Sequence, residues 1–303
     1  MRSTLDPTLD IVFKMLFAAP GSRDTLIALL TAVLRPASPI SQIQVLNPEI
    51  TRDQVDDKGI ALDIHVVLAD GRRLDVEMQA DKRPAFRDRA LYYWSRIFGS
   101  QLERGQPYTA LHPVVSVLFL DYVELEGQRF HSTFRLLEER DHVLFTNHLA
   151  IHLIELPKRA RISDTDRQSE ADLLSWTRFL GAKTDDEVTE ACMSNPTIAK
   201  ANQILEHLSA TPSAQELARQ RKLALDTYRI ELAAVKEEGK TEGRVEGRVE
   251  GRAGTLLEQL RMKFGPLDDR LMSRIQNGTE DDLQRWTRRI LTASTLQEFL
   301  GDG

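Results

Sequence analysis

The run Lys58-Gly59-Ile60-Ala61-Leu62-Asp63-Ile64-His65-Val66-Val67-Leu68-Ala69-Asp70-Gly71-Arg72-Arg73-Leu74-Asp75-Val76-Glu77-Met78-Gln79 decides how the chain folds. Ile60 to Leu68 and Leu74 to Met78 read as strands, and Ala69-Asp70-Gly71 between them supplies turn chemistry. As a three-residue hairpin loop with Gly71 left-handed, it pairs Leu68 with Arg72 and, counting back, sets Asp63 across from Glu77. Directly opposed residues share a sheet face, about 5 Å apart at Cβ. Gln79 lies two residues beyond Glu77 and points the same way, and His65 shares the parity of Asp63. A two-residue Asp-Gly turn would instead pair Ile64 with Glu77 and turn Asp63 away, so the constellation depends on the loop.

Working outward, Leu9, Val12, Phe13, Leu16 and Phe17 recur at helical spacing. Pro20-Gly21 breaks that pattern, and Ser22 suits the start of a second helix carrying Leu26, Leu29, Leu30 and Val33. Ile43 and Val45 mark a first strand before the hairpin. A helix over about Pro84 to Arg104 and a buried strand, Val114 to Leu120, come after it. The order ααβββαβ is an α/β core with a hairpin followed by a crossover helix. Phe130 to Leu137 and Leu149 to Leu156 are further strand segments that extend the sheet. From about Asp166 the pattern turns helical, over 167–180, 184–193, 197–208, 213–237, 255–264 and 280–293. The expected organisation is a core domain over 1–160, a helical extension over 161–237, a linker over 238–254 and a small helical domain over 255–303.

The 303 residues carry a formal net charge of −6. That balance argues against a protein that coats nucleic acid by bulk charge, but not against a nuclease, whose metal-binding carboxylates are themselves acidic. The single cysteine, Cys192, cannot form an intramolecular disulfide and has no basic neighbour to activate it, which fits a reducing, cytoplasmic setting. No apolar run approaches the roughly 18 residues of a spanning helix, so no membrane partner is expected. Walker-type glycine loops, paired CxxC motifs and a Gly-x-Ser-x-Gly elbow are absent.

Asp63 and Glu77 both sit among apolar neighbours. A carboxylate on a half-buried strand is costly unless compensated, and a divalent cation would compensate it. Mg²⁺ suits such a site because it takes hard oxygen ligands and often uses only one or two protein carboxylates. Gln79 could orient an attacking water. Spacing alone favours a plainer reading, in which both acids line the solvent face of a hairpin.

A family resemblance reverses that order. Asp10-x-x-Phe13-Lys14-x-x-Phe17, Asn47-Pro48-Glu49, Lys58 with Leu62-Asp63-Ile64, and Val76-Glu77-Met78-Gln79 appear in sequence, followed by Arg89-Ala90-Leu91-Tyr92-Tyr93, Gln101, Gly105 and Tyr108. Over residues 8–122 the chain resembles the Rpn family of recombination-promoting nucleases and related transposases, within the PD-(D/E)XK nuclease superfamily. The resemblance implies a restriction-endonuclease-like core and a divalent-metal-dependent DNA endonuclease linked to recombination or mobile elements. It gives the metal role to Asp63 and Glu77 and places Gln79 beside them in the catalytic set. Many superfamily members have lysine where Gln79 stands, and no proline precedes Asp63. Lys58 or Lys14 would then be the residues to supply positive charge. A catalytically inactive DNA- or protein-binding module on the same fold is the alternative.

The segment after the catalytic strand is basic. Lys82, Arg83, Arg87 and Arg89 are the expected DNA contacts, with Arg89 and Gln101 also matching the family pattern. Tyr92, Tyr93 and Trp94 read as core residues. Asp10 and Lys14, four apart, share a helix face and read either as a surface pair or as support for the site. Near the C-terminus, Leu217, Leu225, Tyr228, Leu232 and Val235 approach heptad spacing, which suggests self-association through the helical region. The repeat that follows, Glu-Gly-Arg-Val twice with close variants over 238–253, stacks like charges at i, i+4 and carries glycines that cost about 1 kcal/mol each in a helix. It reads as a flexible linker, or as a helix supported by a neighbouring chain.

Overall fold

The computed structural model describes residues 2–47, 63–162 and 164–301. Lys58, the Pro48-Glu49 motif and the first residues of the expected strand over 60–68 lie outside them.

The helices α1 (Asp10–Ala18) and α2 (Arg23–Leu34) precede β1 (Ile43–Val45), β2 (Ile64–Leu68) and β3 (Arg73–Gln79). Helix α3 (Phe86–Gly99) crosses to β4 (Val114–Leu120), and β5 (His131–Arg135) and β6 (Leu149–Glu155) complete a six-stranded sheet of order β1-β2-β3-β4-β6-β5. The pairings β3·β4 and β4·β6 are parallel, and the outer ones are antiparallel. This is the mixed sheet and restriction-endonuclease-like α/β architecture the sequence predicts, including the two late strands. Central strand β4 is buried along its whole length, as parallel strands covered on both faces are.

The hairpin register is set by its loop. Ile64 pairs with Val76 and Val67 with Arg73, the Leu68 amide donates to the Arg72 carbonyl at 2.9 Å, and Gly71 takes φ +86°. Continuing this register by one residue brings Asp63 across from Glu77. A side chain at Gly71 would be strained by that φ and would run into the His112 ring. Gly71→Ala is expected to cost about 1–2 kcal/mol in denaturant unfolding. An unchanged midpoint would show that the loop does not need the left-handed residue.

The sheet divides two environments. Leu74, Val76 and Met78 of β3, with Val115, Val117 and Phe119 of β4, pack on α1 and α2. The helices α5 (Ala171–Leu180), α6 (Asp185–Ser194) and α7 (Pro196–Ala210), which follow the short α4 (Asp164–Ser169), share this same core through Trp176, Phe179, Val188, Ile198 and Leu205. The boundary expected at residue 160 therefore falls within one packed core. On the opposite face, Leu118, Leu120, Ile151 and Leu153 meet Phe86 at the start of α3. Phe86 is the one buried residue of α3. Tyr92 is 56% exposed, whereas Tyr93 and Trp94 are half-buried, with the Trp94 indole donating to the Val114 carbonyl at 3.0 Å. That corrects the expectation for Tyr92 and leaves Tyr93 and Trp94 at the margin of the core.

The chain forms two compact units, Met1–Asp226 and Thr227–Gly303. In the second, Leu256, Leu260, Ile275, Leu283 and Phe299 make a small core. Helix α8 (Pro212–Phe264) runs through the repeat, and α9 (Asp269–Gln276), α10 (Glu280–Thr292) and α11 (Leu296–Leu300) follow it. Residues 238–254, expected as a linker, are thus helical. Arg248 and Arg252, stacked on one helix face, share Glu280 at 2.6 and 2.8 Å, which offsets the like-charge repulsion at that end of the repeat. Among the described residues, no single helix is long and apolar enough to cross a membrane.

Candidate active site

The site grows from strand parity. Asp75, Glu77 and Gln79 alternate with the core residues Leu74, Val76 and Met78, so they emerge on the α3 side of the sheet, and all of them are buried. Asp63 and His65 come to the same face from β2 and the residue before it. His65 Nε2 lies 2.6 Å from Asp63 Oδ2 and 3.5 Å from Asp75 Oδ1. One ligand atom each from Asp63, His65 and Asp75 can be taken within 4.8 Å of one another, the spacing of a metal site. Glu77 is held differently: Gln79 Nε2 donates to Glu77 Oε1 at 2.8 Å, and Gln79 Oε1 accepts from the Tyr122 hydroxyl at 3.1 Å. Gln79 therefore fixes the Glu77 carboxylate.

Asp75 is the residue the sequence reading passed over. Its parity with Glu77 was legible, and its place between Leu74 and Val76 was the signal.

The electrostatics point toward a cation. Burial, then the charges of Asp63 and Glu77, push the Asp75 carboxyl well above its ordinary range. Burial likewise raises Glu77, to about 7. Burial works against ionisation of Asp63, but its hydrogen bond to His65 and the imidazolium charge hold it below the usual carboxylate range. The Asp63 hydrogen bond raises His65 in turn, against desolvation. Asp75 Oδ1 is buried and makes no hydrogen bond, with only the 3.5 Å approach of His65 Nε2 beside it. Clustered, repelling carboxylates of this kind fit a divalent cation, which would supply further positive charge.

A pH signature follows. Between the ordinary 4.5 and the raised value of about 7, folded Glu77 keeps a proton that the unfolded chain has released, so stability falls as pH rises through that window. Thermal melting without metal should therefore decline across it. Added Mg²⁺ competes with the proton and should raise the melting temperature more above pH ~7.5 than below pH ~5. A cation effect that is flat with pH would show that these carboxylates do not hold the ion.

The other sequence-designated residues separate into groups. Asp10 and Lys14 are both buried, not a surface pair. Asp10 is bound by Arg221, with Nη2 to Oδ2 at 2.6 Å and Nε to Oδ1 at 3.1 Å. It shares a small cavity with Gln79 and Arg83. Lys14 is fully buried, its Nζ has no hydrogen-bond partner, and desolvation lowers its pKa against the pull of the Asp63 charge. The charges of Arg89 and Arg83 both bear on Glu77, and Arg89 Nη2 is buried without a hydrogen bond. Lys82 and Arg87 are instead ion-paired with Glu124, at 2.9 and 3.1 Å. Gln101 lies away from the acids. It clamps the backbone of His112, donating to its carbonyl at 3.0 Å and accepting from its amide at 2.9 Å.

A family model described as PD-(D/E)XK nuclease family transposase matches residues 7–233. The chain belongs to that family. Comparison with curated proteins and with solved structures gave no match. The matched range takes in the sheet, α1 to α3 and the helices that share their core, so the first unit is essentially the family domain. Membership supports a nuclease-like role with DNA as the substrate. It also accounts for the order of helices and strands read from the residues alone.

Proposed function

We propose that this PD-(D/E)XK family member is a divalent-metal-dependent DNA endonuclease that hydrolyses phosphodiester bonds, acting in recombination or mobile-element biology. The observation that carries the reading is the approach of Asp63 to Asp75 beside buried Glu77 and Gln79 on one sheet face, where the hairpin register continued by one residue sets Asp63 across from Glu77. Asp63 and Glu77 would hold the ion, and Asp75 adds a carboxylate within reach of Asp63. Oxygen ligands of this kind favour Mg²⁺. When bound, such an ion supplies Lewis-acid polarisation of a phosphate and a lower pKa for water.

The remaining roles belong to the chain's own groups. Gln79 orients Glu77, and Tyr122 orients Gln79. Arg83 and Arg89 bring positive charge to the Glu77 side of the cluster, where a phosphate would approach. Lys82 and Arg87, 61% and 68% exposed, sit further out for backbone contact. Self-association through the helical C-terminal region belongs to the same proposal. Of the near-heptad residues, Leu225 is buried and Leu217 packs on the first unit's core, so the support is the exposure of Leu232 (36%) and Val235 (65%) on α8.

The test is cleavage of supercoiled plasmid by purified protein with Mg²⁺ and with EDTA. Cutting that requires the ion supports the reading. A single observation favours the second reading, a DNA-binding module without catalysis: Gln79 brings no positive charge to the position where many superfamily members have lysine. DNA binding with no cutting under Mg²⁺, Mn²⁺ or Ca²⁺ would establish that reading instead.

A further inference from the structure

Beside the acid cluster lies a cleft of about 400 Å³, between α3 and the β2–β3 hairpin. Asp63 and His65 form one end of it. Tyr93 and Ile97 of α3 and Leu46 give it apolar walls, while Arg73 and Arg96 add positive charge. Residues of α3 form two rungs at helical spacing: Arg89 lies 5.8 Å over the Tyr93 ring, and Arg96 lies 5.9 Å over Tyr92. The two tyrosine rings meet edge to face at 5.7 Å. Aromatic rings interleaved with arginines are the surface on which bases stack and backbones are tracked.

We propose that this cleft is a binding site for one unpaired nucleotide of the DNA, with its base against Tyr93 and its phosphate directed to Arg73 and Arg96, next to the bond that is cut. The proposal rests on the nuclease reading and adds the substrate class: a strand whose base is already unpaired, or displaced from its duplex, at the cleavage position. The volume is at the low end for small-ligand pockets, the scale of a single nucleotide and not of stacked pairs. Its apolar walls offer contact only to the face of a base, and within a duplex that face is hidden in the stack. A paired base would have to leave its helix to enter, at a cost that a bubble or single strand has already met. Asp63 lines the cleft, so a nucleotide seated there brings its neighbouring phosphate up to that carboxylate.

The experiment compares the full chain with its Tyr93→Ala and Tyr93→Phe variants. The probes are a fully paired oligonucleotide, the same duplex with a short central bubble, and a bubble carrying 2-aminopurine. Affinity is read by fluorescence anisotropy in EDTA, so that cutting does not enter. Stacking on one aromatic ring predicts a bubble preference of roughly 5- to 100-fold, lost in Tyr93→Ala and kept in Tyr93→Phe. The 2-aminopurine emission should be quenched on binding by wild type and by Tyr93→Phe, but not by Tyr93→Ala. Equal affinity for bubble and duplex, or a preference that survives Tyr93→Ala, overturns the proposal. A bubble preference with the predicted Tyr93 dependence, in a protein that cuts nothing with any metal, supports the cleft and counts against the nuclease reading alone.

Discussion

Asp63→Ala is expected to remove plasmid cleavage at only a small cost in melting temperature, the cost of its pair with His65. Loss of a metal ligand forfeits several kcal/mol of charge stabilisation at the phosphate, which corresponds to a fall of about 10³-fold or more in rate. The stability side follows from the site's own charges. The Asp63 side chain is 29% exposed, so its removal opens no core cavity. Its charge also helps to push the neighbouring Asp75 upward, so deleting it relieves that repulsion and offsets part of the pair lost with His65. Glu77→Gln should lose activity too, at a constant or rising melting temperature, because it replaces a carboxylate strained by burial with a neutral amide of the same shape. Activity lost with so little change in melting temperature is what a functional site built against stability shows. The paired measurement is plasmid cleavage in Mg²⁺ and thermal melting in EDTA. Cleavage by Asp63→Ala within tenfold of wild type would remove this residue from the mechanism. Lost cleavage with a large fall in melting temperature would make its role structural.

How much of this site could be read from the residues depends on how local each cause is. The Asp63–Glu77 opposition is local, since a three-residue loop with a left-handed glycine fixes the count and strand parity does the rest. Asp75 and His65 obey the same parity, and their addition to the cluster needs nothing beyond it. Asp10 and Lys14 are different. A spacing of four places them on one helix face, but whether that face is wet or dry is decided by Arg221, which is 211 residues away in sequence. The partner that relieves the stacked arginines of the glycine repeat, Glu280, is likewise distant, 32 residues from Arg248. The exposure of Tyr92 has a related reason. Apolar character marks a residue that can be buried, and only the fold shows that Phe86 alone of α3 takes up that role.

The Asp10–Arg221 pair carries the largest expected stability effect. Arg221 is fully buried, and Asp10 is 5% exposed. The guanidinium meets both carboxylate oxygens, and Asp10 Oδ1 also accepts from the Ile11 amide at 2.8 Å. Arg221→Met leaves a carboxylate inside the core with its cation gone, and breaking a buried pair in that way costs about 3–5 kcal/mol. Replacing both members with apolar residues of similar volume, Asp10→Leu with Arg221→Met, should restore most of that loss, because the desolvation penalty of both charges disappears with them. A double-mutant cycle in denaturant unfolding isolates the coupling. Activity provides a second axis. Asp10 lines the same small cavity as Gln79 and Arg83, and it begins the helix that carries Lys14. The stable double variant should therefore still bind Mg²⁺ through Asp63 and Glu77, and any loss of cleavage would report how far the pair positions the Glu77 side of the site. A single-variant cost below about 1 kcal/mol would place the pair among weak surface ion pairs and would return Asp10 to the exposed helix face that its spacing first suggested.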